Sequence, residues 1–179
     1  MHQETLAYIW SRLAYDQKIR PAGVLDPILG LEPPTPHTVR IPEGSATLGA
    51  DPEAFGWDNE FPRHVVEVAT FSLDAYSVTN RDFLEFVEAG GYGEDDLWGD
   101  EGFARDTQAR HPVFWEMHRG AWFWRAQWGL LPLPMAWPVY VSHDEARAYA
   151  RWKERRLMSF SPSSWEVKTC SANVASESK

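Results

Sequence analysis

Cysteine is almost missing from this chain. The one thiol, Cys170, leaves no internal disulfide possible, which points to a reducing compartment, the cytoplasm. Positive charge is also short: 17 Lys and Arg stand against 26 Asp and Glu, a net charge of −9. A phosphate backbone needs a basic stripe to neutralise it, so nucleic acid and anionic membrane are excluded as partners. No apolar run is long enough to span a bilayer. The opening residues, MHQETLAYIWSRLAY, lack the basic segment and apolar stretch of a secretory leader, so none is expected there. Internal repeats are absent as well.

Tryptophan, by contrast, is abundant. Ten of the 179 residues are Trp. Such rings bury large areas and carry an N–H that needs a partner, which suits a loop-rich fold with few regular elements. They could also form a cage for a quaternary ammonium, but core packing is the plainer reading. The densest acidic stretch runs from Glu94 to Glu101. It reads as the start of a helix, where acids favour the first turn, in preference to a cation site.

Periodicity divides the chain. Residues 3–15 predict an amphipathic helix, with Leu6, Ile9, Trp10 and Leu13 on one face. Residues 16–37, rich in Pro and Gly, form an extended connector. From Thr38 the texture changes. Residues 38–41 are a strand pattern, and Ser45 to Gly49 is expected to pair back on it as a hairpin. Strands are expected at 64–68 and 71–76. Thr79 is placed to cap a helix over 80–89 that buries Phe83, Phe86 and Val87 and stops at Gly90-Gly91. A short helix covers 95–108. The aromatic segment from Phe114 to Trp128 gives short strands or loops. Val139 to Val141 is a buried strand, and Ser142 with Glu145 opens a capped helix over 143–155. From Phe160 the chain is Ser-rich and unpatterned, and residues 159–179 read as a disordered tail.

Several motifs then follow in a recognisable order. They are Ile41-Pro42-Glu43-Gly44-Ser45 with Leu48-Gly49, then Phe55 to His64, then Tyr76-Ser77-Val78-Thr79-Asn80 leading into Phe83 and Phe86. Pro138 to Ser142 comes next, and Glu145-Ala146, Ala148-Tyr149 and Trp152 lead to Arg156-Leu157. Together, residues 38–158 resemble the sulfatase-modifying-factor family of formylglycine-generating-enzyme-like domains. Phe55 to Glu60, Glu88 to Tyr92, and Leu97-Trp98 with Glu101-Gly102 resemble its ergothioneine-pathway sulfoxide synthase branch. The resemblance implies an α+β, C-type-lectin-like fold, incomplete and cut at both ends. It also implies that residues 1–37 are the remnant of a DinB-like helical domain plus connector.

The same resemblance implies the chemistry. Enzymes of that branch use Fe(II) and O2 to join a small-molecule thiol to a histidine derivative. His2-Gln3-Glu4-Thr5-Leu6 is similar to the run that follows an iron-binding His-x-x-x-His helix, which would make His2 one of three histidine ligands. A lone imidazole cannot hold iron, since the metal needs several ligands and a His pair must share one helix face. The chain is therefore expected to bind no Fe(II), to lack assigned catalytic or cofactor-binding residues, and to be inactive alone. That leaves a fragment or short isoform of a sulfoxide synthase, or alternatively a non-catalytic lectin-like binding module. Formylglycine generation ranks last, because it uses active-site cysteines. Among the other candidates, His64, His111 and His143 read as local structural residues. His118, beside Arg119, either meets an anionic ligand or bonds loop backbone. Asp58-Asn59-Glu60 is read as a turn in preference to half of a metal loop.

Overall fold

The computed structural model describes residues 2–98, 109–157, 169–170 and 174–176. The first element is helix α1, His2–Arg12, followed by a single 3-10 turn at Tyr15–Gln17. It is shorter than expected, and its apolar face is covered only at one end: Trp10 and Leu13 are half-buried, while Leu6 and Ile9 are exposed.

Strands β1 (Thr38–Ile41), β2 (Gly44–Leu48), β3 (His64–Val68) and β4 (Phe71–Asp74) come next. The expected β1–β2 hairpin does not form. β1 pairs antiparallel with β4, from Thr38↔Asp74 to Ile41↔Phe71, and β2 pairs with β3, from Gly44↔Val68 to Leu48↔His64. The register is the same in both halves, so the two pairings are one long ribbon interrupted over residues 42–43 and 69–70. Pro42 has no N–H for a ladder bond, and there the Glu43 N–H donates to the Thr70 hydroxyl at 3.0 Å instead. Two residues between β1 and β2 thus make a corner, and the true turn of the ribbon is the loop 49–63. Gly49 opens that loop at φ 79°, and a Cβ on it would lie 2.5 Å from the Pro62 carbonyl oxygen. Ala50 closes the loop base with bonds to Glu60 and Arg63.

Helix α2 (Asn80–Glu88) starts at Thr79 as expected. The Thr79 hydroxyl accepts from the Asp82 N–H, and the Asp82 carboxylate accepts from the Thr79 N–H at 3.1 Å. Gly90, at φ 81°, ends it. Phe83 and Phe86 are fully buried. Helix α3 (Asp95–Trp98) follows; the rest of the expected 95–108 helix lies outside the described residues. Strands β5 (Trp115–His118), β6 (Ala121–Arg125) and β7 (Leu130–Pro132) form an antiparallel meander. Pro132 is tolerated because β7 is an edge strand.

Two-residue β8 (Val141–Ser142) runs into α4 (His143–Trp152), capped reciprocally by Ser142 and Glu145. β9 (Arg156–Leu157) comes after it. Part of the stretch read as a disordered tail is strand. β10 (Thr169–Cys170) pairs with β8, and β11 (Val174–Ser176) lies between β4 and β9, giving a sheet of order β1-β4-β11-β9. Composition misleads here because backbone pairing with an open sheet edge does not require apolar side chains. The core is aromatic: Phe83 stacks on Tyr149 at 5.3 Å, and Phe86, Trp115, Tyr92 and the small Ala146 and Ala150 of α4 pack around them. The architecture is mixed helix and sheet, with the core between α2, α4 and the meander.

Candidate functional site

A cleft of about 470 Å³ opens on the flank of this core. The connector supplies Pro34, Pro36 and His37. The end of β4 supplies Asp74 and Tyr76, the start of α2 supplies Arg81, Asp82 and Glu85, and the end of α4 supplies Tyr149, Lys153 and Arg155. Local structure explains the placement. The Thr79 cap turns α2 away from β4, which leaves a gap at the helix start. Glu154, at φ 54°, turns the chain after α4 and brings Arg155 back to that gap.

The charges in the cleft are matched. Arg155 bonds Asp74, Lys153 meets Glu85 at 3.2 Å, and Arg81 meets Asp82 at 3.4 Å. His37 stands edge-on to Tyr76, with ring centroids 5.4 Å apart. Burial raises the Tyr149 phenol well above its usual range, and the carboxylates of Asp82, Glu85 and Asp74 push it the same way. Tyr149 is therefore a neutral hydroxyl at any physiological pH and no base. Such a wall can hold a small polar molecule by matched charges and aromatic faces.

Among the described side chains, the histidines each meet a different local partner. His2 is the first residue of α1. His64 Nδ1 lies 3.0 Å from the Pro62 carbonyl, and His111 Nδ1 lies 3.0 Å from the Pro112 carbonyl while its ring meets Trp122. His118 departs from the loop-backbone expectation: its Nε2 lies 3.1 Å from the Glu116 carboxylate. His143 lies 3.9 Å from Asp144. Asp58–Glu60 is a 3-10 turn in which the Glu60 carboxylate accepts from the Trp57 N–H at 2.9 Å, as the turn reading expects. Among the described residues, no group of three or more His, Cys, Asp or Glu is arranged to hold a metal ion.

Comparison with known proteins follows the same lines. The sulfatase-modifying factor enzyme 1-like domain matches residues 30–173. The chain belongs to this family. The matched span begins within the connector and extends past residue 158. Relatives include the hercynine oxygenase of Mycolicibacterium smegmatis, 35% identical over 126 residues, 67% of this chain and 28% of that protein. The hercynine oxygenase of Mycobacterium tuberculosis is 35% identical over 138 residues, 74% of this chain and 31% of that protein. The formylglycine-generating enzyme of Thermomonospora curvata is 33% identical over 145 residues, 72% of this chain and 47% of that protein. The chain thus spans less than a third of those hercynine oxygenases and about half of the formylglycine-generating enzyme.

Membership accounts for the motif order, but the cleft was not foreseen. Its partners are distant in sequence; Arg155 and Asp74 are 81 residues apart. The available signal is the basic run Lys153-Glu154-Arg155-Arg156 after α4, whose spacing says nothing of its partners.

Proposed function

We propose that this chain is the lectin-like domain of a hercynine-oxygenase-type sulfoxide synthase, a C-type-lectin-like fold that serves the joining of a thiol to a histidine-derived substrate. The observation that carries the reading is the 35–36% identity to three hercynine oxygenases over most of the domain. The formylglycine-generating alternative is weaker, because that chemistry uses active-site cysteines and this sequence has one cysteine in all. Iron and O2 supply the oxidising chemistry in the branch. His2 is the residue of this chain that the resemblance assigns to the metal, and since one imidazole does not make an iron centre, the isolated chain on this reading does not turn over.

The role left to these residues is binding. The charge-matched cleft suits a zwitterionic histidine derivative, with the exposed Tyr76 offering a ring face and Asp74, Asp82 and Glu85 lining the side toward a cationic group. Calorimetric titration of the purified chain with a trimethylated histidine tests this reading. Saturable binding that Tyr76→Ala weakens is expected; binding unchanged by that substitution, or none, removes the cleft from the proposal. Incubation with Fe(II), O2, a thiol and the same betaine should yield no sulfoxide. Product formation would refute the non-catalytic assignment.

A second reading, a lectin-like binding module with no catalytic parent, is favoured by the complete pairing of cleft charges. Sequencing the gene on both sides of this coding stretch separates the two. An upstream His-x-x-x-His helix in frame supports the synthase, and its absence supports the module.

A further inference from the structure

Arg125 makes most of the polar contacts that seat the end of α1, and Lys18 Nζ donates to the same Ser11 carbonyl at 3.2 Å. Arg125, at the end of β6, reaches across more than a hundred residues of sequence. Its Nε donates to the Ser11 carbonyl at 3.1 Å, and a terminal nitrogen donates to the Leu13 carbonyl at 2.7 Å. Its other terminal nitrogen meets Glu116 at 3.1 Å, and the guanidinium lies over the Tyr15 ring at 4.6 Å. The far oxygen of Glu116 is held by His118. Around this contact, the Tyr15 hydroxyl donates to the Ala126 carbonyl at 3.2 Å and Trp10 meets Trp128 edge-on at 5.5 Å.

The chemistry is that of a helix end. The last carbonyls of a helix have no partner within it and carry partial negative charge, which a cation relieves. α1 ends at Arg12, so the Ser11 carbonyl is of this kind, and the Leu13 carbonyl follows directly after the helix. A guanidinium has donors in a planar fork and serves two carbonyls and a carboxylate at once. A lysine could not cover all three directions.

The rest of the seat is weak. Leu6 and Ile9, on the same apolar face, are exposed. The Trp10 indole N–H is buried without an acceptor among the described residues, a cost to docking. Packing alone therefore does not fix the helix, and the polar anchor decides.

We infer that the face formed by Glu116, Arg125, Ala126 and Trp128 is a docking socket for the C-terminal end of a helix, occupied here by α1, with Arg125 as its positioning residue. The inference stands apart from the proposed activity, since it needs neither substrate nor metal.

Hydrogen exchange on the full chain tests it. Arg125→Met should raise exchange at the amides of α1 at least tenfold while α2 and α4 keep their protection, and Arg125→Lys should restore little. Glu116→Gln frees the fork without changing its shape and should raise α1 exchange by a smaller factor. It also decides the matter if the Met variant fails to fold. Unchanged α1 protection in Arg125→Met, or in Glu116→Gln where that is the readable variant, overturns the inference. So does a rise spread equally over α1, α2 and α4, because Arg125 would then be a general stabiliser.

Discussion

At the scale of single residues, two positions carry sharp expectations of opposite sign. Gly91 begins the 3-10 turn after α2, and a Cβ there would lie 2.0 Å from the Phe86 ring. Phe86 is fully buried between Tyr92, Tyr149 and Trp152, so it cannot swing aside cheaply. Gly91→Ala should cost about 1–3 kcal/mol, the usual range for overpacking. Gly93, two residues on, has open space at its Cβ and should accept Ala with little change. Thermal melts of the two variants decide whether packing is the cause; equal melts would mean it is not. Arg119 is the reverse case. It forms the two-residue β5–β6 turn with Gly120, at φ 51° and 80°. Left-handed backbone crowds the Cβ of an ordinary L residue such as Arg but suits Asn, and Asn-Gly is the favoured pair for such turns. Arg119→Asn should therefore raise stability by about 0.5–1 kcal/mol, read from the urea midpoint at constant slope.

At the scale of elements, the two capped helices show what sequence can reveal. Thr79 with Asp82 and Ser142 with Glu145 are separated by three residues, so the bond geometry is set locally and is readable from spacing. Ser142→Ala should lower stability by about 1 kcal/mol, the usual worth of a cap. Glu145→Ala should cost more, about 2–3 kcal/mol. Glu145 accepts both from the Ser142 N–H at 2.7 Å and from the Tyr92 hydroxyl at 2.5 Å. Equal losses for the two variants in denaturant melts would show that the Tyr92 bond contributes nothing. Strand partners were less legible. β1 and β2 each alternate well enough to be recognised, but alternation is blind to partner: it favours the nearest strand, whereas β1 pairs with β4, thirty residues on. β11 was invisible for the same reason: its place between β4 and β9 is decided by the edge it meets. The cleft and the α1 socket lie at the far end of this difficulty. Arg155, Asp74 and Arg125 have no local pattern, and only the folded ribbon and meander bring them to their partners.

At the scale of the whole molecule, the aromatic core makes stability depend on alkaline pH. Tyr92 and Tyr149 are both buried in the layer that joins α2 to α4. Burial raises both phenols well above their ordinary 10, and neighbouring carboxylates add to it: Glu145 for Tyr92, and Asp82, Glu85 and Asp74 for Tyr149. In the unfolded chain each returns to about 10. The folded state therefore binds more protons than the unfolded state above that pH. This contribution is fully present below pH 10 and is lost progressively as pH rises beyond it. With both phenols neutral in the fold and ionised in the unfolded chain, the loss approaches about 2.7 kcal/mol per pH unit. Tyrosinate absorbance followed alongside circular dichroism should show Tyr92 and Tyr149 ionising only as the fold is lost. Tyr92→Phe and Tyr149→Phe should each flatten the alkaline decline. Ionisation of Tyr92 and Tyr149 near pH 10 with helix signal intact would mean that water reaches this layer, and the packing of α2 against α4 described above would have to be abandoned.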